Sequence, residues 1–134
     1  LGMAHLVGDK GKVTAADLQQ EMLDKTMSRA ARQGVGQRII PHLSSPEGLN
    51  LQEEVDFVLA CNVLHEIPDL PNVLDEIRIN LKADGQMYIM EPKLHVGRAK
   101  FEKEIEQARK LGFVEIDRPT VRGEQSVVLE LPGQ

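Results

Sequence analysis

Short apolar runs alternate with stretches of helical periodicity along most of the 134 residues. Polar or turn-forming residues bound each apolar run, which predicts strands at residues 12–17, 38–43, 56–61 and 87–90. Apolar side chains recur every three or four positions between them, which predicts helices at residues 18–32, 70–81 and 96–111. Such alternation with short links is typical of a doubly wound α/β fold, a mainly parallel sheet with helices on both faces.

The two ends of the sequence extend this pattern. Residues 113–119 and 126–131 alternate apolar and polar side chains, which predicts a closing antiparallel strand pair. Residues 1–8 have the pattern of a helix that ends at a glycine, and residues 82–85 that of a turn. We therefore expect one domain over residues 1–134.

Composition argues against several classes of protein. The formal net charge of −5 disfavours a nucleic-acid surface, because phosphate binding requires a basic excess. Cys61 is the only cysteine, so no internal disulfide can form and a reducing, cytoplasmic setting is favoured. No apolar run approaches the roughly 20 residues that span a bilayer, so no membrane partner is expected.

Polar, chemically able side chains follow the strand at residues 56–61. The segment DFVLACNVLHEIPD begins as a buried strand and then presents Cys61, Asn62 and His65. In doubly wound sheets, ligands bind beyond the carboxyl ends of the strands. These side chains are therefore expected where a ligand would bind.

Asp17 is the most informative single residue, and two interpretations of it are equally favoured. A carboxylate that ends the second strand of a nucleotide-binding sheet accepts both hydrogen bonds of a ribose diol. The alternative is that Asp17 caps a helix starting at Leu18. Leu18 itself is expected in the core, although it is also placed to pack on an adenine face.

His65 and Cys61 each have a structural interpretation as well. A turn-packing role for His65 is as well supported as a catalytic one. His65-Glu66 is not a zinc-protease motif, since Asp69 stands where the second histidine is needed, and no metal site is expected. Cys61 lacks a sequence-local activating base, so a buried, small hydrophobic role is favoured. Glu91, after the strand at residues 87–90, either meets substrate or only ends the strand.

Several segments together resemble a known family. LGMAHLVGDKG, GKVTAADLQQEML, DFVLACNVLHEIPD and LDEIRINLKADGQMYIMEPK look like successive parts of class I S-adenosylmethionine-dependent methyltransferases. The nearest subgroup is the one related to the ubiquinone and menaquinone methyltransferases. The resemblance runs from the first residue to about Pro92, and it implies a Rossmann-like fold with S-adenosylmethionine as the cofactor.

The resemblance also implies roles for individual residues. Asp17 matches the ribose-binding acid, and Leu18 matches the residue beside the adenine. His65 lies where relatives line the methyl-transfer site, which makes it the candidate catalytic residue. The positions that border the methionine part of the cofactor are Ala60, Cys61 and Asn62.

The sequence departs from the family pattern at two places. Many relatives carry an acid after the third strand, where this chain has Ser44 and Ser45, so a hydroxyl or Glu47 has to serve there. The glycine-rich loop after the first strand is absent, and in relatives it lies just upstream of LGMA. The resemblance therefore implies a fold that lacks its first strand, binds the cofactor more weakly than a form with that strand, and has exposed strand edges through which copies can associate.

The leading functional hypothesis is methyl transfer from S-adenosylmethionine to a small-molecule acceptor. A nicotinamide-dinucleotide-binding domain is the first alternative, because Asp17 would serve it equally well. A non-catalytic fragment that acts as a dimerisation or structural module is the second.

Overall fold

The computed structural model describes residues 1–133, and its contacts divide the chain into two compact units, Leu1–Asn50 and Leu51–Gln134. We refer to them as the first and the second unit. Each contains parallel strands linked by helices, so the predicted α/β class is confirmed. Whether the two units make one domain, as the sequence predicts, stays a prediction.

The first unit is built on two strands. Its elements are α1 (Gly2–Leu6), β1 (Val13–Asp17), α2 (Gln20–Arg32), a 3-10 turn (Gly36–Arg38) and β2 (Ile39–Leu43). β1 and β2 pair in parallel, with Val13 opposite Ile39 and Asp17 opposite Leu43. The buried apolar cluster of this unit consists of Ala4, Ala30, Val35 and Ile39.

The second unit contains a four-stranded sheet in the order β3-β4-β6-β5. Its elements are β3 (Val55–Cys61), a 3-10 turn (Leu64–Glu66), α3 (Leu70–Asn80), β4 (Leu81–Pro92), α4 (Arg98–Lys110), β5 (Val114–Asp117) and β6 (Glu124–Glu130). β3 and β4 are parallel, whereas β6 is antiparallel to both β4 and β5. The closing antiparallel pair is thus confirmed, but within residues 1–133 parallel and antiparallel pairings are equally frequent, so the pairing is mixed and not mainly parallel.

The helix α3 shows why these residues fold as predicted. Asp69 is its N-cap and accepts a hydrogen bond from the backbone N–H of Asn72, while Pro71 occupies the tolerated first turn. Its buried side chains recur at helical spacing and are Leu70, Val73, Leu74 and Ile77.

The turn predicted at residues 82–85 is instead part of β4. The register shifts here: Val55 pairs with Leu81, and the next paired residue, Phe57, faces Gln86. Asp84 adopts a positive φ of 64°, and a Cβ on Gly85 would lie 2.7 Å from the Leu81 side chain. The turn-forming residues therefore produce a bulge, because the strand pairs with β3 on both sides of it.

β3 differs from its prediction as a buried strand. Ala60 is buried, but Phe57 and Leu59, which alternate with it, are 39% and 40% exposed. In the part of the chain that the structure describes, β3 pairs only with β4, and β1 pairs only with β2. Each of these strands has an unpaired edge, as expected; that a further strand belongs to the fold stays a prediction.

None of the helices formed by residues 1–133 is long and apolar enough to cross a membrane.

Candidate functional site

Asp17 ends β1, and its carboxylate is half-buried. One oxygen, Oδ1, accepts a hydrogen bond from the backbone N–H of Gln19 at 2.9 Å. Helix α2 begins only at Gln20, with Gln19 as its N-cap, so the interpretation of Asp17 as the cap of a helix from Leu18 is wrong. Because Oδ2 accepts no hydrogen bond from residues 1–133, the carboxylate retains capacity for the hydroxyl groups of a ligand.

Leu18 lies at the surface, with 53% of its area exposed. The expectation of a core leucine is therefore wrong. The chain turns here from β1 into α2, so the side chain is left outside the apolar cluster. An exposed apolar side chain next to Asp17 is suited to contact a flat ring.

Ser44 and Ser45 follow β2 at the same edge of the two-stranded sheet. The backbone N–H of Ser44 donates to the carbonyl of Asp17 at 2.8 Å, which holds the two strand ends together. The Ser44 hydroxyl is buried and has no hydrogen-bond partner within residues 1–133. The Ser45 hydroxyl, by contrast, accepts from Asn50 Nδ2 at 3.1 Å within a tight turn that Ser45 forms with Gly48. Of the two predicted serines, only Ser44 has an orphaned polar atom that a ligand would satisfy.

In the second unit, β3 ends in the three residues that the resemblance assigns to the cofactor. Ala60 is buried opposite Ile89 of β4. Asn62 donates its backbone N–H to the carbonyl of Met90 at 2.8 Å and adopts a φ of 60°. A positive φ in a residue other than glycine is costly, and such residues are concentrated at binding sites.

Cys61 is exposed, so its predicted role as a buried small hydrophobic residue is wrong. β3 alternates its side chains between two faces, and Cys61 falls on the open face with Phe57 and Leu59. The pKa of its thiol is raised, mainly by partial desolvation and then by the negative charges of Glu124 and Glu91. A thiol held protonated is a poor nucleophile, which agrees with the sequence interpretation on that point.

His65 contacts Glu91, which the sequence identifies only as a residue that ends a strand or meets substrate. The ring nitrogen Nδ1 lies 3.1 Å from Glu91 Oε2 and 3.3 Å from Oε1. The His65 side chain is 18% exposed, whereas that of Glu91 is fully buried. A carboxylate can only accept a hydrogen bond, so Nδ1 is the donor wherever Glu91 is ionised, and the other ring nitrogen, Nε2, lies 3.7 Å from Oε1 of the exposed Glu66. Glu91 belongs to the last part of β4 and His65 follows β3, so the pair lies at the carboxyl ends of these two parallel strands, where such sheets bind ligands.

Glu104, on α4, is a residue that sequence reasoning missed. It is only 3% exposed, and neither of its carboxyl oxygens has a hydrogen-bond partner within residues 1–133. Burial first, and then the charge of Glu91, raises its pKa to about 7. Its position in the sequence could have identified it. Glu104 falls on the apolar stripe of α4 with Phe101, Ile105 and Ala108, where a carboxylate is unexpected.

Within residues 1–133, no group of three or more His, Cys, Asp or Glu side chains is arranged to hold a metal ion. A surface depression of about 370 Å³ is lined by residues of α2 alone and contains none of the predicted site residues. It is too open to enclose a ligand. The predicted site residues lie instead at the ends of the strands or just after them.

Several solved structures share the fold of this chain. A search of the curated proteins found no significant match. Among solved structures, an S-adenosylmethionine-dependent methyltransferase from Aquifex aeolicus is 21% identical, with a TM-score of 0.82 over 97% of this chain and 74% of that one. The N-methyltransferase NodS from Bradyrhizobium japonicum WM9, in complex with S-adenosyl-L-homocysteine, is 14% identical, with a TM-score of 0.75 over 91% of this chain and 67% of that one.

A third similar structure shows that this fold also occurs in a protein with a different reaction. The [4+2]-cyclase SpnF is 14% identical, with a TM-score of 0.80 over 98% of this chain and 70% of its own. At these identities the likeness establishes the Rossmann-like fold alone. A family model described as a methyltransferase domain, however, matches residues 1–85. S-adenosylmethionine is the cofactor expected from the sequence, and it agrees with that match. Because the matched residues make up more than half of the chain, the chain belongs to the methyltransferase domain family.

Proposed function

We propose that this chain binds S-adenosylmethionine and transfers its methyl group to a small-molecule acceptor, with His65 as the general base. Family membership supports methyl transfer. The observation that carries the role of His65 is its contact with the buried Glu91 carboxylate at 3.1 Å.

The cofactor supplies a methyl group on a positively charged sulfonium, which leaves without help. The protein has to align donor and acceptor, exclude water and, for an O–H or N–H acceptor, remove one proton. Few catalytic residues are therefore needed. A single well-oriented base is enough.

The contact with Glu91 gives His65 that orientation. Glu91 holds the hydrogen on Nδ1, so Nε2 is the atom that takes the proton of the acceptor. Hydrogen bonds to a buried carboxylate are charge-assisted and strong, and this one also stabilises the imidazolium that forms. Glu91 is in this account a positioning residue, and His65 the catalytic one.

The first unit offers groups that fit the nucleoside part of the cofactor. Asp17 is suited to the ribose hydroxyls through its unoccupied oxygen, and Leu18 to one face of the adenine. The buried, unpartnered Ser44 hydroxyl is suited to a polar atom of the base. In the second unit, the strained Asn62 and its neighbours Ala60 and Cys61 keep the role that the family resemblance gives them, beside the methionine part.

The net charge of −5 favours a small acceptor over nucleic acid. Similar structures include a fibrillarin pre-rRNA processing protein from Methanococcus jannaschii, so the fold itself permits either class. A reducing, cytoplasmic location is part of the same proposal, since the one cysteine is not engaged in a disulfide.

Replacement of His65 tests the function. Formation of S-adenosylhomocysteine is first measured with a panel of phenols, amines, thiols and carboxylic acids, and the best acceptor is then used with His65→Gln. We expect kcat to fall by about 10²–10⁴-fold, the usual contribution of a general base, while the calorimetric affinity for S-adenosylmethionine stays within about twofold. The exposed His95 provides a matched control, and His95→Gln should leave both quantities unchanged.

Three results would contradict the proposal. A loss of activity in His65→Gln that merely tracks the folded fraction would assign His65 a packing role. Thermal stabilisation by NAD but not by S-adenosylmethionine would favour the dinucleotide-binding alternative. Binding of S-adenosylmethionine without turnover of any acceptor would favour a non-catalytic module.

A further inference from the structure

The exposed face of α2 has a row of positively charged side chains. Lys25, Arg29 and Arg32 are four and three residues apart, so they lie along one line of the helix, and all three are exposed. Together with Ser28 and Asp24, they line the open depression of about 370 Å³ on this helix. We refer to Lys25, Ser28, Arg29 and Arg32 as the basic row.

The positive charges of the row have no acidic partner in the part of the chain that the structure describes. Elsewhere in that part, Arg118 forms ion pairs with Glu102 and Glu115. The carboxylate of Asp24, in the same depression as the row, instead accepts a hydrogen bond from Gln20 at 3.0 Å. The three charges of the row are therefore available to a group from another molecule.

The helix dipole accounts for only part of the row. Arg29 and Arg32 lie in the last turn of α2, where the unpaired carbonyl groups of the helix stabilise positive charge. That stabilisation falls off within one turn, so it does not extend to Lys25 in the middle of the helix. The dipole therefore does not explain why three positive charges are aligned.

The row lies in the less acidic part of the chain. Residues 1–50 contain six Lys and Arg and five Asp and Glu, whereas residues 51–134 contain ten and sixteen. Half of the positive charges of the first unit belong to the row. Because the whole chain has a net charge of −5, the row is a local positive region on an acidic protein. Such a region favours a partner whose negative charge is confined to a short stretch.

We propose that the basic row is a docking surface for a partner protein, which binds it through a short segment rich in Asp and Glu. At 1.5 Å per residue, the row spans about 10 Å along the axis of α2. Two turns of an acidic helix have the same length, and in an extended segment the side chains of one face recur about every 6.6 Å. The guanidinium groups of Arg29 and Arg32 can each pair with a carboxylate through two hydrogen bonds, and the Ser28 hydroxyl is a further donor.

Nucleic acid and membrane surfaces fit the row less well. A nucleic-acid strand has a phosphate at every nucleotide and continues past the row, where it would meet the exposed Glu21 and Asp24. An anionic membrane surface binds most helices through a band of exposed apolar side chains. Helix α2 exposes Met22 but buries Leu23 and Ala30. A short acidic segment avoids both difficulties.

Fluorescence anisotropy with the full chain tests this surface. The probe is a fluorescein-labelled peptide of four Glu-Ser repeats, and a peptide of four Gln-Ser repeats is its uncharged counterpart. We expect only the acidic peptide to bind at about 20 mM salt, and to bind less well at about 0.2 M, because salt screens exposed charges. Arg29→Glu should weaken binding about five- to tenfold, since it replaces an attraction by a repulsion. Lys103→Glu, at an exposed position of α4, changes the net charge equally and should alter binding less than twofold.

A second substitution separates docking from the stability of α2. Arg29→Glu places a negative charge in the last turn, which also destabilises the helix. Lys25→Gln lies outside that turn, so it should weaken binding of the acidic peptide about twofold and leave thermal unfolding, followed by circular dichroism, unchanged. If Arg29→Glu fails to fold, Lys25→Gln with the control Lys103→Gln decides alone.

Four results would overturn the proposal. The first is absence of peptide binding at low salt, and the second is an equal loss in Arg29→Glu and Lys103→Glu, which would assign binding to net charge. In the third, a labelled uridine octanucleotide binds more tightly than the peptide and loses that binding in Arg29→Glu, which would make the row an RNA surface. In the fourth, the chain sediments with vesicles of equal parts phosphatidylserine and phosphatidylcholine, and Arg29→Glu does not. None of these measurements requires methyl transfer, so they do not depend on the proposed function.

Discussion

The two units differ in what they bury. The largest fully buried side chains of the described residues all belong to the second unit: Phe101, Leu74, Met87, Ile89, Ile105, Leu129, Glu91, Val96 and Val127. The cluster of the first unit consists of two alanines, a valine and an isoleucine. The first unit also has two strands where the second has four. Two-stranded sheets and units of about 50 residues are marginal on their own, so we expect the second unit to be the more stable one.

The candidate chemistry follows the same division. In the first unit, Asp17 and Leu18 are accessible at a strand end, as suits groups that bind a ligand. In the second, Glu91 and Glu104 are buried, and Glu91 contacts His65. Buried polar groups are costly unless their surroundings satisfy them, and they occur here in the unit with the larger core.

The largest expected effect is on the core of the second unit. Phe101→Ala should lower the free energy of unfolding by about 3–5 kcal/mol, because a fully buried aromatic ring leaves a cavity. The corresponding change in the first unit, Val35→Ala, removes two methyl groups and should cost about 1.5 kcal/mol. Urea unfolding monitored by circular dichroism measures both. Equal losses would show that the two cores contribute equally.

The next effect concerns pH and belongs to the second unit alone. The pKa of Glu104 rises from 4.5 to about 7 on folding, so the folded chain binds more protons between these two values. The contribution of Glu104 is therefore largest below pH 4.5 and falls as pH rises to about 7, by about 3 kcal/mol in total.

Other carboxyl groups act in the opposite direction and have to be subtracted. Hydrogen bonding to Arg118 lowers the pKa of Glu102 and of Glu115, so their contributions are lost as pH falls. The difference between the native chain and Glu104→Gln isolates Glu104. Urea unfolding at pH values from 4.5 to 7.5 should show that difference shrinking or changing sign as pH rises, and a constant difference would contradict the raised pKa.

In the first unit, the largest effect is expected on binding and not on stability. Asp17→Ala should weaken S-adenosylmethionine binding by about 1.5–3 kcal/mol, the contribution of a charged hydrogen-bonding group, with the fold intact. Asp24→Ala, at an exposed position of α2, is the control. Calorimetry measures both, and unchanged affinity in Asp17→Ala would refute the ribose assignment.

Sequence reasoning predicted the fold more fully than the site. The end of a strand, such as the end of β1 at Asp17, was predictable because it coincides with the end of a local apolar run. The exposure of Phe57 and Leu59 was not predictable, because an apolar run has the same sequence pattern whether or not another element covers that face of the strand. His65 and Glu91 are 26 residues apart in sequence, and they come into contact only because the turn after β3 lies beside the end of β4. Such a pairing requires tertiary structure.

The smallest expected effect concerns the strand edges. β1 and β3 each have an unpaired edge in the described chain, but their exposed side chains differ. β3 presents Phe57 and Leu59, whereas β1 presents the small Thr14. An exposed apolar edge strand is a template for pairing with another copy, and a charged side chain on it opposes that pairing. We therefore expect weak association that rises with protein concentration and involves β3.

In sedimentation velocity over a range of concentrations, Phe57→Lys should raise the dissociation constant about tenfold, or about 1.4 kcal/mol, while Thr14→Lys should change it little. Equal effects of the two lysines would show that net charge and not the β3 edge governs association, and a monomer at all concentrations would mean that neither edge is used.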